Sequence, residues 1–216
     1  MRVIAIDGPA GSGKSTVARA LATRLGLDYL DTGAMYRGVT FAALRRGIDP
    51  DDAATVARLA GQIDIDVAEI VTVDGVDATI EIRGPEVTRA VSAVAANPEV
   101  RRELRRRQRE WAADHGGGVI EGRDIGSVVF PDAELKVYLT ASDSERAGRR
   151  SKEVLDLDYD SVAADIARRD YADSSRVAAP LMVADGAITV DTTGLSIDKV
   201  VDRVMALLPE SAEPQP

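Results

Sequence analysis

Apolar positions along the chain alternate between short continuous runs and helical spacing. The run at residues 3–6 has the length of a buried strand. Val17, Leu21 and Leu25 then recur at four-residue steps, which predicts a helix that Gly26 ends. Further strands are predicted at residues 28–31, 119–121, 135–139 and 187–190, and further helices at 38–46, 161–170 and 196–208. Strands that alternate with helices predict a three-layer α/β fold with a parallel sheet.

A different pattern interrupts this alternation between about residues 63 and 83. Two β-rich segments, 70–73 and 76–82, flank the dipeptide Asp74-Gly75. Such a dipeptide between alternating apolar positions is typical of a β-hairpin with a two-residue turn. Because antiparallel hairpins do not continue a parallel sheet, a small antiparallel insert is predicted at residues 64–83.

The first strand leads directly into a phosphate-binding motif. Residues 8–15 read Gly-Pro-Ala-Gly-Ser-Gly-Lys-Ser, which matches G-x-x-x-x-G-K-[S/T] with a strand before it and a helix after it. The glycines let consecutive N–H groups face one anion, the lysine reaches the terminal phosphates, and the serine hydroxyl can ligate Mg²⁺. The predicted ATP-binding residues are Gly8, Pro9, Ala10, Gly11, Ser12, Gly13, Lys14, Ser15 and Thr16, with Ser15 on the Mg²⁺ that accompanies ATP.

Composition narrows the class of protein. With 216 residues the chain suits one catalytic domain, and it has no apolar run of membrane-spanning length. It also opens on a strand with no secretory pattern before it, so a cytoplasmic location is expected. The absence of cysteine and the single His115 exclude thiolate and histidine-cluster metal sites. A net charge of −9 argues against general nucleic-acid binding, so an anionic ligand must meet local arginines.

A phosphate loop alone does not identify the function, because kinases, GTPases, motors and transporters all contain one. The chain lacks the Asn-Lys-x-Asp motif that reads guanine, which disfavours a GTPase, and Glu121 is its one good carboxylate at a strand end. Arginines instead recur at the ends of predicted strands and helices, namely Arg37, Arg123, Arg149, Arg150, Arg169 and Arg176. Such residues suit the phosphates of two substrates. Glu121 or Asp7 at the sheet edge could orient the waters of Mg²⁺.

Five ordered motifs, at residues 8–16, 31–37, 122–126, 129–133 and 176–181, resemble those of the bacterial cytidylate kinases. The resemblance covers nearly the whole chain. It implies that ATP donates its γ-phosphoryl group to CMP or dCMP, giving ADP and the diphosphate. It also implies one kinase domain over residues 1–208, with a monophosphate-binding insert at about 33–115 and a lid at about 149–172. Residues 209–216 are expected to form a disordered tail.

The same resemblance implies a role for each matching residue. The implied catalytic residues are Lys14, Arg37, Arg123, Arg149 and Arg150. The implied CMP-binding residues are Thr32, Tyr36, Arg37, Ser92, Arg101, Arg123, Asp124, Arg169, Asp173 and Arg176. Within this set, Arg37 and Arg123 bind the monophosphate, and Ser92, Arg101 and Asp124 read cytosine. Asp173 bonds the sugar hydroxyls. Thr32 replaces a frequent serine but keeps its hydroxyl, whereas residues 171–175 carry fewer charges than many relatives do.

Other functions stay open on the sequence. A small kinase of the same fold could act on another acceptor, and a noncatalytic regulator could bind ATP and signal by lid closure. The arginines between residues 101 and 109 could bind RNA, although the glutamates among them favour a solvated helix face. The expected partners are ATP, ADP, CMP and dCMP, with no stable nucleic acid and no membrane, and a monomer is expected.

Overall fold

The computed structural model describes residues 1–153, 159–176 and 179–209. In this part of the chain a parallel sheet contains five strands. In spatial order they are β2 (Tyr29–Asp31), β6 (Gly117–Gly122), β1 (Arg2–Asp7), β7 (Leu135–Thr140) and β8 (Ile188–Asp191). Every strand of the sheet was predicted from the apolar runs, each to within two residues at either end. The parallel arrangement brings the carboxyl ends of β1, β2 and β6 to one edge, where ligands of open α/β sheets bind.

Helices cover both faces of this sheet. Their bounds in the described residues are α1 (Lys14–Leu25), α2 (Thr32–Arg45), α3 (Ala53–Gln62), α4 (Pro85–Ala96), α5 (Pro98–Asp114), α6 (Asp143–Glu153), α7 (Tyr159–Ser175) and α8 (Ile197–Met205). Strand β1 is buried on both sides: Val3 and Ala5 pack towards α2 and its neighbours, whereas Ile4 and Ile6 pack towards α1 and α8. Two separate apolar layers therefore enclose the sheet, which confirms the three-layer fold. No helix of the described ranges is long and apolar enough to cross a membrane.

The predicted insert is an antiparallel sheet of three strands, β3 (Ile65–Val67), β4 (Val71–Val73) and β5 (Val76–Asp77). Asp74 and Gly75 form its two-residue turn with φ of 50° and 73°. Both values lie in the left-handed region that Asp-Gly hairpin turns require.

The second hairpin strand is shorter than the sequence predicts. A strand over residues 76–82 is wrong, because the side chain of Asp77 accepts a hydrogen bond from the Thr79 N–H and turns the chain. A short 3₁₀ turn, Glu81–Arg83, follows. Ile80 is 81% exposed, while Ala78 and Ile82 are buried. The alternation of apolar positions at residues 78–82 therefore reflects a turn in which two apolar side chains are buried, and not a strand.

Helix α2 begins six residues before its predicted start at residue 38. Asp31 caps it, since its Oδ1 accepts the Ala34 N–H at 3.0 Å. The motif at residues 32–37 thus forms the first turns of a helix, which places Tyr36 and Arg37 on a rigid element. Two predictions fall partly outside the described residues: positions 154–158 of the lid and 210–216 of the tail.

Candidate functional site

A cavity of about 440 Å³ lies at the carboxyl edge of the parallel sheet. The residues that line it are Ala10, Gly11, Gly13, Lys14, Ser15, Thr16, Asp31, Thr32, Gly33, Tyr36, Arg37, Arg83, Val91, Ser92, Ala95, Arg101, Glu121, Gly122, Arg123, Asp124, Arg150, Ile166, Arg169, Asp173 and Arg176. The fold thus brings together, around one space, most of the residues that the sequence singled out. They come from the phosphate loop, α2, α4, α5, α6, the end of β6 and the segment after it, and α7 with the residue that follows it.

The phosphate loop forms one wall of the cavity. Its lysine, Lys14, is the first residue of α1 and donates from Nζ to the Pro9 carbonyl at 2.7 Å. Burial and the nearby Arg123 lower the pKa of Lys14, whereas Glu121 raises it. Gly11 has φ of 73°, and a Cβ there would lie 2.8 Å from the Arg146 carbonyl oxygen. The loop therefore requires glycine at this position for both its backbone conformation and its packing.

Glu121 lies buried at the end of β6, beside the last residues of the loop. Tyr29 donates its hydroxyl to Oε1 of Glu121 at 2.5 Å. Burial raises the pKa of Glu121 and of Tyr29, whereas the nearby Ser15 side chain lowers the pKa of the Glu121 carboxylate. A hydroxyl and a carboxylate at the end of a phosphate loop are hard oxygen donors that fit Mg²⁺, which keeps few protein ligands and shares phosphate oxygens.

Asp7, the other acidic residue considered for the magnesium shell, has a structural role. Its two oxygens accept the N–H groups of Ile125 at 2.9 Å and Gly126 at 2.8 Å. Burial raises the pKa of Asp7 to about 6. The carboxylate thereby fixes the backbone that follows Asp124, next to the second half of the cavity.

That second half contains a buried ion pair that fits a polar base. Arg101 donates to Oδ2 of Asp124 at 2.5 Å and to the Ala95 carbonyl at 3.2 Å. Its guanidinium also lies 5.7 Å from the ring centre of Tyr36. Ser92 lines the same cavity. A carboxylate, a guanidinium and a hydroxyl beside an aromatic ring can bind a flat ligand that carries both donors and acceptors.

Several arginines converge between the phosphate loop and this pair. Arg37 donates to the Ile82 carbonyl at 2.9 Å and to the Thr88 hydroxyl at 3.0 Å. Burial, together with neighbouring cations, lowers the pKa of Arg37 to about 9 and that of Arg169 to about 10. Buried cations that repel one another gain stability when an anion comes between them. The centre of the cavity therefore has the charge to accommodate an anion.

Asp173 on α7 organises two more of these cations. Its Oδ2 accepts Nε of Arg123 at 2.8 Å, and its Oδ1 accepts NH1 of Arg176 at 3.2 Å. Arg123 also donates to the Gly8 carbonyl in the phosphate loop. Arg123 thus stands between the loop and α7, in a position to contact phosphates on either side.

The two arginines predicted at the lid differ in placement. Arg150 lines the cavity. Arg149 lies outside the lining and donates to the hydroxyl of Thr192 at 2.9 Å and its carbonyl at 2.8 Å. Gly8, Pro9 and Ser12 also stay outside the lining, since they form the rear of the loop.

Reasoning from the sequence missed some residues at the site. Arg83 lines the cavity and pairs with Asp31 at 3.3 Å. Part of the cavity wall is apolar and is formed by Val91, Ala95 and Ile166. Asp31 stands within the quoted motif at residues 31–37 and could have been found there. Arg83 follows the mispredicted strand, so no local signal placed it.

The basic cluster on α5 is mostly engaged within the protein. Arg102 and Arg106 pair with glutamates of the same helix. Arg107 donates to the carbonyls of Ala60 and Ile63, and Arg109 to those of Val128 and Val129. Arg101 points inward to Asp124. These contacts favour a structural helix over a surface for RNA.

A phosphate loop that opens onto an arginine-lined acceptor pocket defines a P-loop kinase. The model of the family "Cytidylate kinase" matches residues 4–210. The cytidylate kinase of Corynebacterium glutamicum is 49% identical over 98% of this chain and 96% of its own length. That of Streptomyces avermitilis is 47% identical over 96% and 93%. The chain belongs to the cytidylate kinase family.

Solved structures agree on the fold. An uncharacterized protein from Eubacterium ventriosum superposes with a TM-score of 0.54 at 13% identity, covering 95% of this chain and 97% of that one. A Thermus thermophilus protein gives 0.50 at 20% identity, covering 97% and 98%. At these identities the likeness concerns the fold alone.

Proposed function

We propose that this protein transfers the γ-phosphoryl group of ATP to CMP or dCMP, giving ADP and CDP or dCDP. One observation carries the proposal beside the family membership. The phosphate loop and the buried Arg101–Asp124 pair open onto the same cavity, with arginines between them. A donor triphosphate, an acceptor phosphate and an acceptor base therefore each find a matching surface around one space.

The acceptor base is read by complementary polar groups. Cytosine presents an exocyclic amine, which donates to the Asp124 carboxylate, and acceptors at N3 and O2, which suit Arg101 and Ser92. Uracil would instead present a carbonyl to Asp124. Because both charges are buried, an unmatched base would leave a polar group without a partner, which is costly. Tyr36 packs beside this pair and lines the pocket.

Phosphoryl transfer depends on holding the two phosphates in line and on stabilising their negative charge, and it requires no covalent bond to the protein. An oxygen of the CMP phosphate attacks the γ-phosphorus in line, while the bond to the bridging oxygen of ADP breaks. Lys14, Arg37 and Arg123 bind the phosphates, and Arg150 and Arg169 add charge from the opposite side. Mg²⁺ that enters with ATP, held by Ser15 with Glu121 acting through water, would neutralise phosphate charge. Asp173 and Arg176 hold the sugar end of CMP, and Thr32 supports its phosphate.

We also propose the remaining features that the sequence suggested. The insert at residues 33–115 and the lid at 149–172 close over both nucleotides, with Arg149 bracing the loop through Ser12 and Thr192. We propose that the protein acts as a monomer. The absence of cysteine fits a cytoplasmic enzyme.

A coupled ADP-release assay tests this function. Mg·ATP is offered with CMP, dCMP, UMP, AMP, GMP, dTMP or shikimate at matched concentrations. We expect strong preference for CMP and dCMP. Preference for another acceptor would replace the proposed substrate with that acceptor. No turnover on any acceptor, with ATP still bound, would instead support the noncatalytic regulator.

A further inference from the structure

Ala10 in the phosphate loop is held by two charged side chains that come from far along the chain. Its N–H donates to Oδ1 of Asp170 on α7 at 3.0 Å, and its carbonyl accepts NH1 of Arg146 on α6 at 3.0 Å. Arg146 and Asp170 also pair directly with each other. A further bond joins Arg146 to Asp143 at 2.6 Å. Neither Arg146 nor Asp170 lines the cavity, so neither contacts a reacting atom there.

These bonds fix the orientation of two consecutive peptide units. The described residues contain no cis peptide bond, so the Gly11 N–H points opposite to the Ala10 carbonyl that Arg146 holds. The preceding unit is held at both ends, by Asp170 at the Ala10 N–H and by Lys14 at the Pro9 carbonyl. A loop that binds phosphate through its N–H groups depends on such preset directions.

The surroundings strengthen the clamp. Ala10 packs in a small apolar cluster with Ala147, Val162 and Ile166, which are residues of α6 and α7. Arg146 is only 8% exposed. Charge-assisted hydrogen bonds are stronger where water is excluded. The contact therefore holds α6, α7 and the loop together as one unit.

Helix α7 also holds the loop at a second point. Asp173 lies three residues after Asp170, on the same side of the helix. It binds Arg123, whose other end donates to the Gly8 carbonyl. The neighbouring Arg169 lines the acceptor part of the cavity. The helix that contacts the acceptor is thus tied to the donor loop at Gly8 and at Ala10.

We propose that Arg146 and Asp170 are positioning residues, which set the phosphate loop for ATP and couple it to the acceptor helix α7. The inference rests on the proposed function for the identity of the acceptor. When CMP orders α7, Asp170 holds Ala10 in the binding conformation, so ADP or ATP binds more tightly. By linkage, the donor nucleotide strengthens CMP binding by the same factor.

The test compares Asp170→Asn and Arg146→Lys with the wild type. Asparagine at position 170 keeps an oxygen for the Ala10 N–H but loses the charge that Arg146 binds. Lysine at position 146 keeps the positive charge but loses the planar set of N–H donors of the guanidinium. Calorimetry measures ADP affinity with and without saturating CMP. We expect ADP to bind roughly tenfold more weakly to both variants, the effect of one lost charge-assisted bond. The gain, meaning the factor by which saturating CMP increases ADP affinity, should fall to nearly one in both variants.

Asp165→Asn is the matched control, since Asp165 is also on α7 and pairs with Arg168 at 2.7 Å on the surface. It should keep the wild-type ADP affinity and the wild-type gain. Two variants are compared so that a folding defect in one of them does not decide the test. Arg146→Lys preserves the buried positive charge and should therefore fold. A merely structural role would lower Tm in both and leave the affinity of the folded protein and its gain unchanged.

Wild-type affinity and gain in both variants, or a wild type whose ADP affinity ignores CMP, would overturn the coupling. The ADP affinity measured without acceptor tests the clamp whichever acceptor the enzyme uses. Failure of the proposed function appears separately, in the wild-type acceptor assay.

Discussion

Arg123 joins the donor and acceptor halves of the site, through the Gly8 carbonyl on one side and Asp173 on the other. Replacing it should reduce transfer far more than ADP binding, since Lys14 and the loop remain. We expect Arg123→Ala to lower kcat by roughly a hundredfold or more, the scale seen when one group that stabilises transition-state charge is removed. Steady-state kinetics and calorimetry with ADP measure the two effects.

The control for Arg123 is Arg24→Ala, which removes a surface guanidinium that pairs with Asp202 between α1 and α8. It should leave turnover unchanged. Wild-type turnover in Arg123→Ala would remove this residue from the active site.

We propose that Asp124 determines which base fits, because its carboxylate can only accept hydrogen bonds. Asp124→Asn adds an amide donor that suits the carbonyl of uracil. We expect the preference for CMP over UMP in kcat/KM to fall by roughly tenfold or more. The variant should also lose stability, since the buried Arg101 loses its counter-charge. Asp132→Asn on an exposed turn is the control. Unchanged selectivity in Asp124→Asn would contradict the assignment.

At the scale of elements, the phosphate loop depends on backbone conformation more than on side chains. Gly11→Ala would force a Cβ into a residue with φ of 73° and to 2.8 Å from the Arg146 carbonyl oxygen. We expect ADP affinity to fall about tenfold or more and Tm to drop, because the strain alone costs about 1–2 kcal/mol. Calorimetry and thermal denaturation measure both.

Gly61→Ala provides the comparison, since a Cβ at this position of α3 meets nothing within 4 Å. The helix should gain about 0.5–1 kcal/mol there and ADP affinity should stay the same. Equal ADP affinity in Gly11→Ala and the wild type would show that the loop tolerates a side chain.

The insert shows how far local patterns predict an element. The Asp-Gly turn was predicted because two left-handed residues are a local requirement. The length of β5 was mispredicted, since Ala78 and Ile82 are buried in the apolar core beside the parallel sheet rather than by strand pairing. Strand β3 was missed because its three residues gain order only by pairing with β4.

At the scale of the whole molecule, cationic side chains cluster in the cavity although the chain as a whole is acidic. The net charge is −9, yet the cavity gathers Arg37, Arg123, Arg169 and Arg176. A ligand phosphate should therefore stabilise the fold strongly. At a hundred times its Kd, CMP adds about 2.7 kcal/mol, or a rise in Tm of roughly 5–10 °C. Cytidine at the same concentration should give a much smaller rise, since it lacks the phosphate.

Differential scanning fluorimetry measures this difference. Arg37→Ala should shrink it, because Arg37 is one of the cations that line the cavity and that we propose bind the acceptor phosphate. Arg46→Ala, which breaks an exposed pair with Asp74, should preserve it. Equal shifts for CMP and cytidine would mean that the arginines do not bind the acceptor phosphate.

The sequence by itself determined the features that depend on neighbouring residues. Strand and helix periods predicted the five-stranded sheet and helices α1, α2, α7 and α8, but not α3 or α4. The octapeptide at residues 8–15 predicted the phosphate loop. These follow from local geometry and backbone chemistry, which a motif specifies completely. The ordered motifs also predicted the family, and the resemblance they carry singled out most of the residues that line the cavity.

Only the tertiary structure decided which distant residues meet. Arg83 lines the cavity because a turn of the insert folds back onto Asp31. Arg146 and Asp170 hold Ala10 because α6 and α7 pack over a loop that precedes them by more than a hundred residues. Arg149 braces Thr192 instead of lining the cavity. Such contacts depend on packing between elements, which no local pattern of residues encodes.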